Sequence, residues 1–325
     1  MGMATRRYVL ISPCRDEVDY VRRTLDTVAA QSVLPALWVV VDDGSTDGTS
    51  AVLDEYAAKL PYLRVVHRRD RGRRAVGPGV IEAFYAGLEG VDLEGFDYVC
   101  KLDLDLILPP SYFAGLMDRM EADPRIGTCS GKPYFFAPGT PEDRFTFPLT
   151  TSQGLISEKL GDENAVGASK FYRIRCFREI GGFVRQVMWD GIDGHRCRQL
   201  GWIAVSWDDP ELRFVHLRPM GTSHKNWWTG RMRHGFGQYF MGTGPVYMFA
   251  SAAYRMTRPP LVVGGLAMLH GYFKAMAERQ PRYGDATFRK FVRSYQWASL
   301  LRGKKAATAA LEKRQASLWR AHGDG

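Results

Sequence analysis

The sequence predicts an α/β fold, a doubly wound and mainly parallel sheet over residues 1–218, followed by a mainly helical extension over 219–325. Two observations carry this expectation. Between residues 7 and 124, short β-branched runs alternate with segments of helical apolar spacing, the pattern of βαβ units. Beyond Arg218 the acidic residues nearly vanish: residues 213–325 hold 19 Lys and Arg against Glu278, Asp285, Glu312 and Asp324.

Taken in order, the runs Tyr8–Ser12, Leu37–Val41, Leu63–His67 and Tyr98–Leu102 are predicted strands. Val18–Ala30, Thr49–Lys59, Gly79–Leu88 and Ser111–Ala122 are predicted helices covering the sheet. Gly131–Thr151 is rich in Pro, Gly, Phe and Thr without periodicity, and is expected to be a long mobile loop. Lys170–Arg175 and Trp202–Trp207 read as further strands flanking a short helix at Gly191–Leu200, and Phe214–Arg218 contains another strand end. In the extension, Gly235–Tyr254 and Pro259–Phe273 carry no Asp, Glu, Lys or Arg. The first is broken by Gly242, Gly244 and Pro245, and the second is shorter than the ~18–20 residues a bilayer span needs. Thr287–Arg302 is expected to be a basic amphipathic helix, with Phe288, Phe291, Val292, Tyr295 and Ala298 on one face.

With 45% apolar residues in 325, the chain has enough material for a large core, and wholesale disorder is excluded. Its five cysteines are scattered without a CxxC pair, so neither a zinc knuckle nor a disulfide framework is encoded, and they are expected to be reduced thiols. The N-terminus lacks an apolar signal-peptide core, so export is not expected. The formal charge of +9 divides into an acidic first part and a strongly basic second one. Such a basic part calls for a polyanionic partner, nucleic acid or anionic lipid.

In parallel α/β sheets, ligands bind beyond the carboxyl ends of the strands. After the first strand stands Ser12-Pro13-Cys14-Arg15-Asp16-Glu17, with no glycine-rich dinucleotide fingerprint. After the second comes Asp42-Asp43-Gly44-Ser45-Thr46-Asp47, and after the fourth Lys101-Leu102-Asp103-Leu104-Asp105. Any one of these has a plain structural reading, a capped turn or a solvated strand edge. Three carboxylate-bearing strand ends on one rim suit the handling of a nucleotide diphosphate through a divalent metal.

On these motifs the segment from about Tyr8 to Arg218 resembles a family-two glycosyltransferase of the GT-A fold. Pro13–Glu17 stands for the family's opening P-x-Y-N-E, Val41–Asp47 matches V-D-D-G-S-T-D in full, and Asp103–Asp105 is the D-x-D. Arg15 departs from the usual base-stacking aromatic and Asp16 from the usual Asn. The resemblance implies donor binding by Pro13, Arg15, Glu17, Asp42, Asp43, Arg73 and Asp103. Asp43, with Asp42 beside it, would accept from the nucleobase imide, Asp103 would touch the ribose, and Arg71, Arg73 and Arg74 would add phosphate donors. Asp105, with His216, would hold Mg²⁺ or Mn²⁺. The family places its general base six residues before an arginine that is five before a glycine. Arg196 and Gly201 fit that frame and select Asp190, with Asp193 as the runner-up.

The activity so implied is metal-dependent, inverting transfer of a sugar from a nucleotide-diphosphate donor, UDP-sugar favoured. The acceptor is a lipid-linked or other saccharide, and the place is the cytoplasmic side of an anionic membrane, peripherally or monotopically. A sugar-nucleotide pyrophosphorylase would want a glycine-rich, lysine-bearing loop after the first strand, which is absent. A nucleic-acid binder would draw on the basic extension, but the uncharged stretches fit lipid better.

Overall fold

The computed structural model describes residues 6–70, 72, 77–141, 145–158, 160–218, 227–258, 260–317 and 319, so Arg71, Arg73 and Arg74 lie outside the described residues. The chain divides into two compact units, Met1–Phe183 with Trp202–Met220, and Val184–Gly201 with Gly221–Gly325.

The first unit opens as βαβ repeats: β1 (Tyr8–Cys14), α1 (Val21–Ala29), β2 (Leu37–Asp42), α2 (Thr49–Ala57), β3 (Leu63–His67), α3 (Pro78–Leu88), β4 (Tyr98–Leu102), the two-residue β5 (Leu106–Ile107) and α4 (Tyr112–Ala122). It continues with β6 (Ile126–Ser130), β7 (Pro133–Phe136), β8 (Leu155–Ser157), β9 (Ser169–Arg173) and α5 (Ile174–Glu179). After α6 (Trp189–Gln199), which belongs to the other unit, come β10 (Ile203–Ser206) and β11 (Phe214–His216).

Seven strands form one sheet in the order β10-β6-β9-β4-β1-β2-β3. β1 to β4 are mutually parallel, while β9 runs antiparallel to both β4 and β6, so the sheet is mixed. Valines and isoleucines fill β1 and β2 on both faces because helices cover both, and Trp38, Leu10, Tyr8 and Phe171 are fully buried. Pro13 sits half-buried at the end of β1, past Ile11 where the ladder with β4 stops, so a residue lacking N–H is tolerated there.

Part of the expected mobile loop is ordered. β7 falls inside Gly131–Thr151 and joins β5, β11 and β8 in a second sheet of order β5-β11-β7-β8, over a core of Ile107, Tyr134, Leu149, Leu155, Val215 and Leu217. Four residues are too few for a period-two signal, and the pairing partners lie 19 to 81 residues away in sequence. Gly131 is obligatory at this junction, since a Cβ there would stand 1.7 Å from the Leu212 carbonyl oxygen. The strand expected at Lys170–Arg175 ends at Arg173, where α5 begins.

The second unit contains α6, α7 (Trp227–Met241), α8 (Pro245–Met256), α9 (Val263–Ala277), α10 (Ala286–Arg302) and α11 (Lys304–Ala316). Glycines allow α7 and α9 to touch backbone to backbone. A Cβ on Gly235 would meet the Met268 carbonyl oxygen at 1.9 Å, and one on Gly271 would meet that of Met232 at 2.0 Å. A buried polar knot ties α7, α9 and α10. Thr243 donates to Gln238 Oε1 (2.6 Å) and accepts from Gln296 Nε2 (3.0 Å), and its carbonyl accepts from Tyr272 (2.7 Å).

Residues 184–201 therefore pack with the C-terminal helices, although the compositional boundary at 218 places them with the first domain. The apolar face expected of Thr287–Arg302 is likewise inside: Phe288 and Val292 are buried with Ile192 and Met241, and Tyr295 bonds Thr308 of α11. Burial of each such side chain stabilises by roughly 1.5–3 kcal/mol. That face of α10 is core and is not available to a membrane. Among the described residues no helix is long and apolar enough to cross one.

Candidate active site

The loops after β1 and β2 build one another. Gly44, at φ +76°, turns the chain so tightly that a Cβ there would stand 2.4 Å from Asp70 Cα, which is why glycine follows Asp43. Asp42 accepts from Ser45 N (2.9 Å) and Ser50 Oγ (2.5 Å), and its Oδ2 lies 3.0 Å from His67 Nδ1. Burial works to raise its pKa, but those hydrogen bonds outweigh it and hold the carboxyl below the usual range. Asp47 accepts from Thr49 and Val18, while Thr49 Oγ1 accepts from Glu17 N (2.8 Å). Asp16, at φ +53°, accepts from Thr46 N (2.9 Å), and its own N–H donates to Ser45 Oγ (3.0 Å). The Asp-for-Asn exchange thus keeps the local bonds that lock the two motifs together.

Asp42 consequently supports the turn, and Asp43 is the carboxylate presented beyond it. Asp43 Oδ1 accepts from Arg68 (2.8 Å), and its carbonyl accepts from Arg15 Nη1 (2.9 Å), whose Nη2 reaches Asp70 (2.7 Å). Arg15 is therefore held beside Asp43.

His67 bridges Asp42 and Asp54 (2.9 Å), and its pKa is raised, first by the bond to Asp54, with burial opposing and Asp42 adding. A His pKa raised above its unfolded value of about 6.5 stabilises fully below that value, and the contribution fades as pH climbs through the folded one. We expect His67→Gln to remove part of the parent's decline in thermal midpoint between pH 6 and pH 9. Equal declines in the two proteins would contradict the bridge. With 44% of the ring side chain exposed, the effect is modest.

The third motif meets the first through a residue 113 positions away. Thr24 Oγ1 on α1 donates to Leu106 O (2.8 Å) and accepts from Leu106 N (3.0 Å), fixing β5. β11 then pairs antiparallel with it, His216 opposite Leu106, and Leu217 N donates to Asp105 O (2.8 Å). Arg218 lands on Asp105: its Nε and Nη2 donate to Oδ2 at 3.0 and 2.8 Å, and Nη2 also donates to Glu17 Oε1 at 2.7 Å. The guanidinium lies 4.9 Å from the centre of the Tyr20 ring. His216 Nε2 approaches the same Oδ2 at 3.5 Å.

Burial raises the Asp105 pKa, yet His216 and Arg218 overcome it and keep the carboxyl well below the carboxylate range. Burial would lower that of His216, and Asp105 reverses this and raises it. Asp103 is neighboured by Lys101 Nζ, which also donates to Gly167 O (2.9 Å). Asp105 Oδ1 and His216 Nδ1 are buried with no hydrogen-bond partner among the described residues. A carboxylate and an imidazole with spare lone pairs are compatible with a divalent cation. Among the described residues no three His, Cys, Asp or Glu converge as a ligand set, so such a cation would need further ligands.

One structural cluster thus joins Glu17, Asp105 and His216 from the expected set, with Arg218 and Tyr20 added. Arg218 was legible only as a domain boundary. Strand alternation, which sets residue 218 on the same side as His216, was the available signal. Asp190 stands in the first turn of α6, half-buried, and Asp193 is buried one turn on, accepting from Gly194 N (2.6 Å). Arg196 of the same frame is paired with Asp285 (2.9 Å). These belong to the second unit.

The sequence model of the family described as Glycosyl transferase family 2 matches residues 9–181. Among curated proteins, poly-beta-1,6-N-acetyl-D-glucosamine synthase of Staphylococcus aureus (strain MSSA476) is 26% identical over 121 residues, which are 37% of this chain and 27% of that protein. Uncharacterized glycosyltransferase YibD of Escherichia coli (strain K12) is 24% identical over 131 residues, 40% of this chain and 35% of that one. The match thus spans about a third or less of these relatives' length. Among solved structures, GalNAc-T7 with UDP, GalNAc and Mn²⁺ is similar with a TM-score of 0.53 at 16% identity, over 90% of this chain and 57% of that. S. aureus TarS 1–349 in complex with UDP is similar with a TM-score of 0.51 at 14% identity, over 98% and 94%. At such identities the likeness is one of fold.

Proposed function

As the chain belongs to glycosyl transferase family 2 and has the GT-A fold, we propose that it transfers a sugar, with inversion, from a nucleotide-diphosphate donor to a lipid-linked or other saccharide acceptor. A UDP-sugar is the favoured donor, and the context is synthesis of a cell-surface polysaccharide or glycolipid at the cytoplasmic side of a membrane. The observation that carries the reading is the cluster at the strand ends, where Arg218 ties Glu17 to Asp105 beside His216.

In this reading Asp43 accepts from the base imide, Arg15 lies against the base, and Asp103 takes the ribose. Breaking the glycosidic bond leaves negative charge on the diphosphate, and cations already in position stabilise it without reorganising. Arg218 is the protein's own such group. Asp105 and His216 are the residues that would hold Mg²⁺ or Mn²⁺, whose chemistry there is neutralisation of the leaving diphosphate. Asp190 is the base that takes the acceptor hydroxyl proton, since direct displacement needs one. Asp193, deeper in α6, is the second choice.

A thermal-shift series with UDP, GDP and dTDP, each with and without Mn²⁺, tests the donor class. A ligand bound only by the folded state raises the midpoint. We expect UDP with Mn²⁺ to give the largest rise. No shift with any nucleotide diphosphate would refute the reading.

A further inference from the structure

We propose that the face formed by α8 and α9 docks on an anionic membrane interface, with the turn between these helices set among the lipid headgroups. The proposal rests on the membrane-associated reading above and names the surface responsible. Val246, Phe249, Ala250, Ala253 and Tyr254 are all exposed on α8 at spacings of i, i+3, i+4, i+7 and i+8, one continuous helical stripe without a charge. The opposite face of that helix, Met248 and Ala252, is buried in the core with Met268 and Tyr272 of α9. Amphipathicity is therefore already satisfied on the inner side, and the outer side is apolar as well.

Apolar exposure also marks the turn and the start of α9. Phe249 contacts Phe273 with ring centres 5.4 Å apart, and Leu261, Val262, Val263 and Leu266 are exposed at the near end of α9. Exposure reaches 61% for Leu261, 60% for Tyr254, 53% for Val262 and 51% for Phe249, far more apolar surface in one place than scattered exposed residues would supply. Val262 stands at φ +58° and ψ −57°, with Val263 N bonded to Leu261 O (2.5 Å). This tight three-residue turn is costly for a β-branched residue, and such strain concentrates at working segments.

Charge selects the partner. From Arg213 to Ala277 the sequence contains eight Lys and Arg and no acid. Arg258 lies 4.7 Å from the Tyr254 ring centre, and Arg255 packs against Gly264 at the start of α9. Burial, then the charge of Arg258, lowers the pKa of Arg255, and burial, then Arg255, lowers that of Arg231, so these three cations lie near one another. An apolar stripe edged by arginines and a tyrosine is the composition of a surface that lies in a headgroup region rather than across the hydrocarbon.

The test uses the full chain with phosphatidylcholine vesicles containing or lacking phosphatidylglycerol, at low and high salt. The parent is expected to partition onto the anionic vesicles and to be weakened by salt. Phe249→Ser with Leu261→Ser should lower partitioning at least about tenfold. Arg255→Gln with Arg258→Gln should lose chiefly the phosphatidylglycerol-dependent part. Both double variants should keep the parent's UDP affinity and stay folded, the serine variant with the parent's thermal midpoint because Phe249 and Leu261 are exposed, and the glutamine variant with a midpoint only slightly changed because Arg255 and Arg258 are half-buried. Unchanged partitioning of the serine variant overturns the proposal, as does loss of its fold or a parent dimer that the same variant dissociates. Failure of UDP to bind the parent would sink the glycosyl-transfer reading alone, since vesicle binding is read separately.

Discussion

Asp190→Asn is expected to lower turnover at least about 10²-fold while leaving the affinity for UDP within about twofold, because the amide keeps the size of the carboxylate but cannot take a proton. The residue stands half-buried in the first turn of α6, within reach of solvent, whereas Asp193 is buried and already accepts from Gly194 N. A carboxylate in a first turn also has a purely structural use, complementing the positive helix end at 0.3–1 kcal/mol or so. The two roles separate cleanly. A structural role predicts a lowered thermal midpoint with turnover largely kept, and a base predicts lost turnover with the midpoint largely kept. Near-parental turnover in Asp190→Asn, together with inactivity of a folded Asp193→Asn, would transfer the assignment to Asp193.

The second large effect is expected at Asp105. Asp105→Asn should erase the part of UDP affinity that depends on Mn²⁺ and leave metal-free affinity near the parent's, as measured by calorimetry with and without EDTA. The same substitution removes the carboxylate on which Arg218 and His216 converge in a buried place, leaving their charge less compensated, and should cost about 2 kcal/mol or more in a urea titration. The sign of the pH effect follows from the depressed pKa of Asp105. Its contribution is present above the ordinary carboxylate range near pH 4 and is lost as pH falls through the folded value. Parent and variant should therefore converge in acid, and their difference should also shrink as pH rises through the raised pKa of His216, whose stabilisation by Asp105 the variant lacks. If the parent binds UDP equally with and without metal, Asp105 is not a metal ligand and its value is structural.

Much of the first unit was legible because its signals are local. Leu37–Val41 predicts a strand by its β-branched run, and Gly44 and Gly48 mark the turn and helix start because only glycine adopts their φ of +76° and +96° without strain. The turn of the motif Asp42–Asp47 is closed by local bonds from Ser45 and Ser50 to Asp42 and from Thr49 to Asp47, so its own shape is carried by residues near one another in sequence, while Asp16 and Val18 brace it from farther along the chain. By contrast, β5 has two residues and β7 four, and neither has a period to read. Both exist because β11 pairs with them from far along the chain.

The helical extension shows the same limit from the other side. Phe288, Val292 and Tyr295 spell an amphipathic helix whether the apolar face meets lipid or core, and their packing beside Ile192 and Met241, or bonding to Thr308, selects core. The uncharged stretches Gly235–Tyr254 and Pro259–Phe273 were visible in composition, but which of their residues face outward depends on how α7, α8 and α9 cross.

By itself, then, the sequence determined the βαβ order, the three carboxylate-bearing strand ends and the division between acidic and basic parts, all of which arise from neighbours a few positions apart. Only the tertiary structure decided that Arg218 sits on Asp105 and Glu17, 113 and 201 positions away, and that the face of α10 is interior while that of α8 is not. The physical reason is that hydrogen bonds and turns act over a few residues of chain, whereas ion pairs and burial are settled by strand pairing and helix crossing, which bring together residues that no local pattern connects.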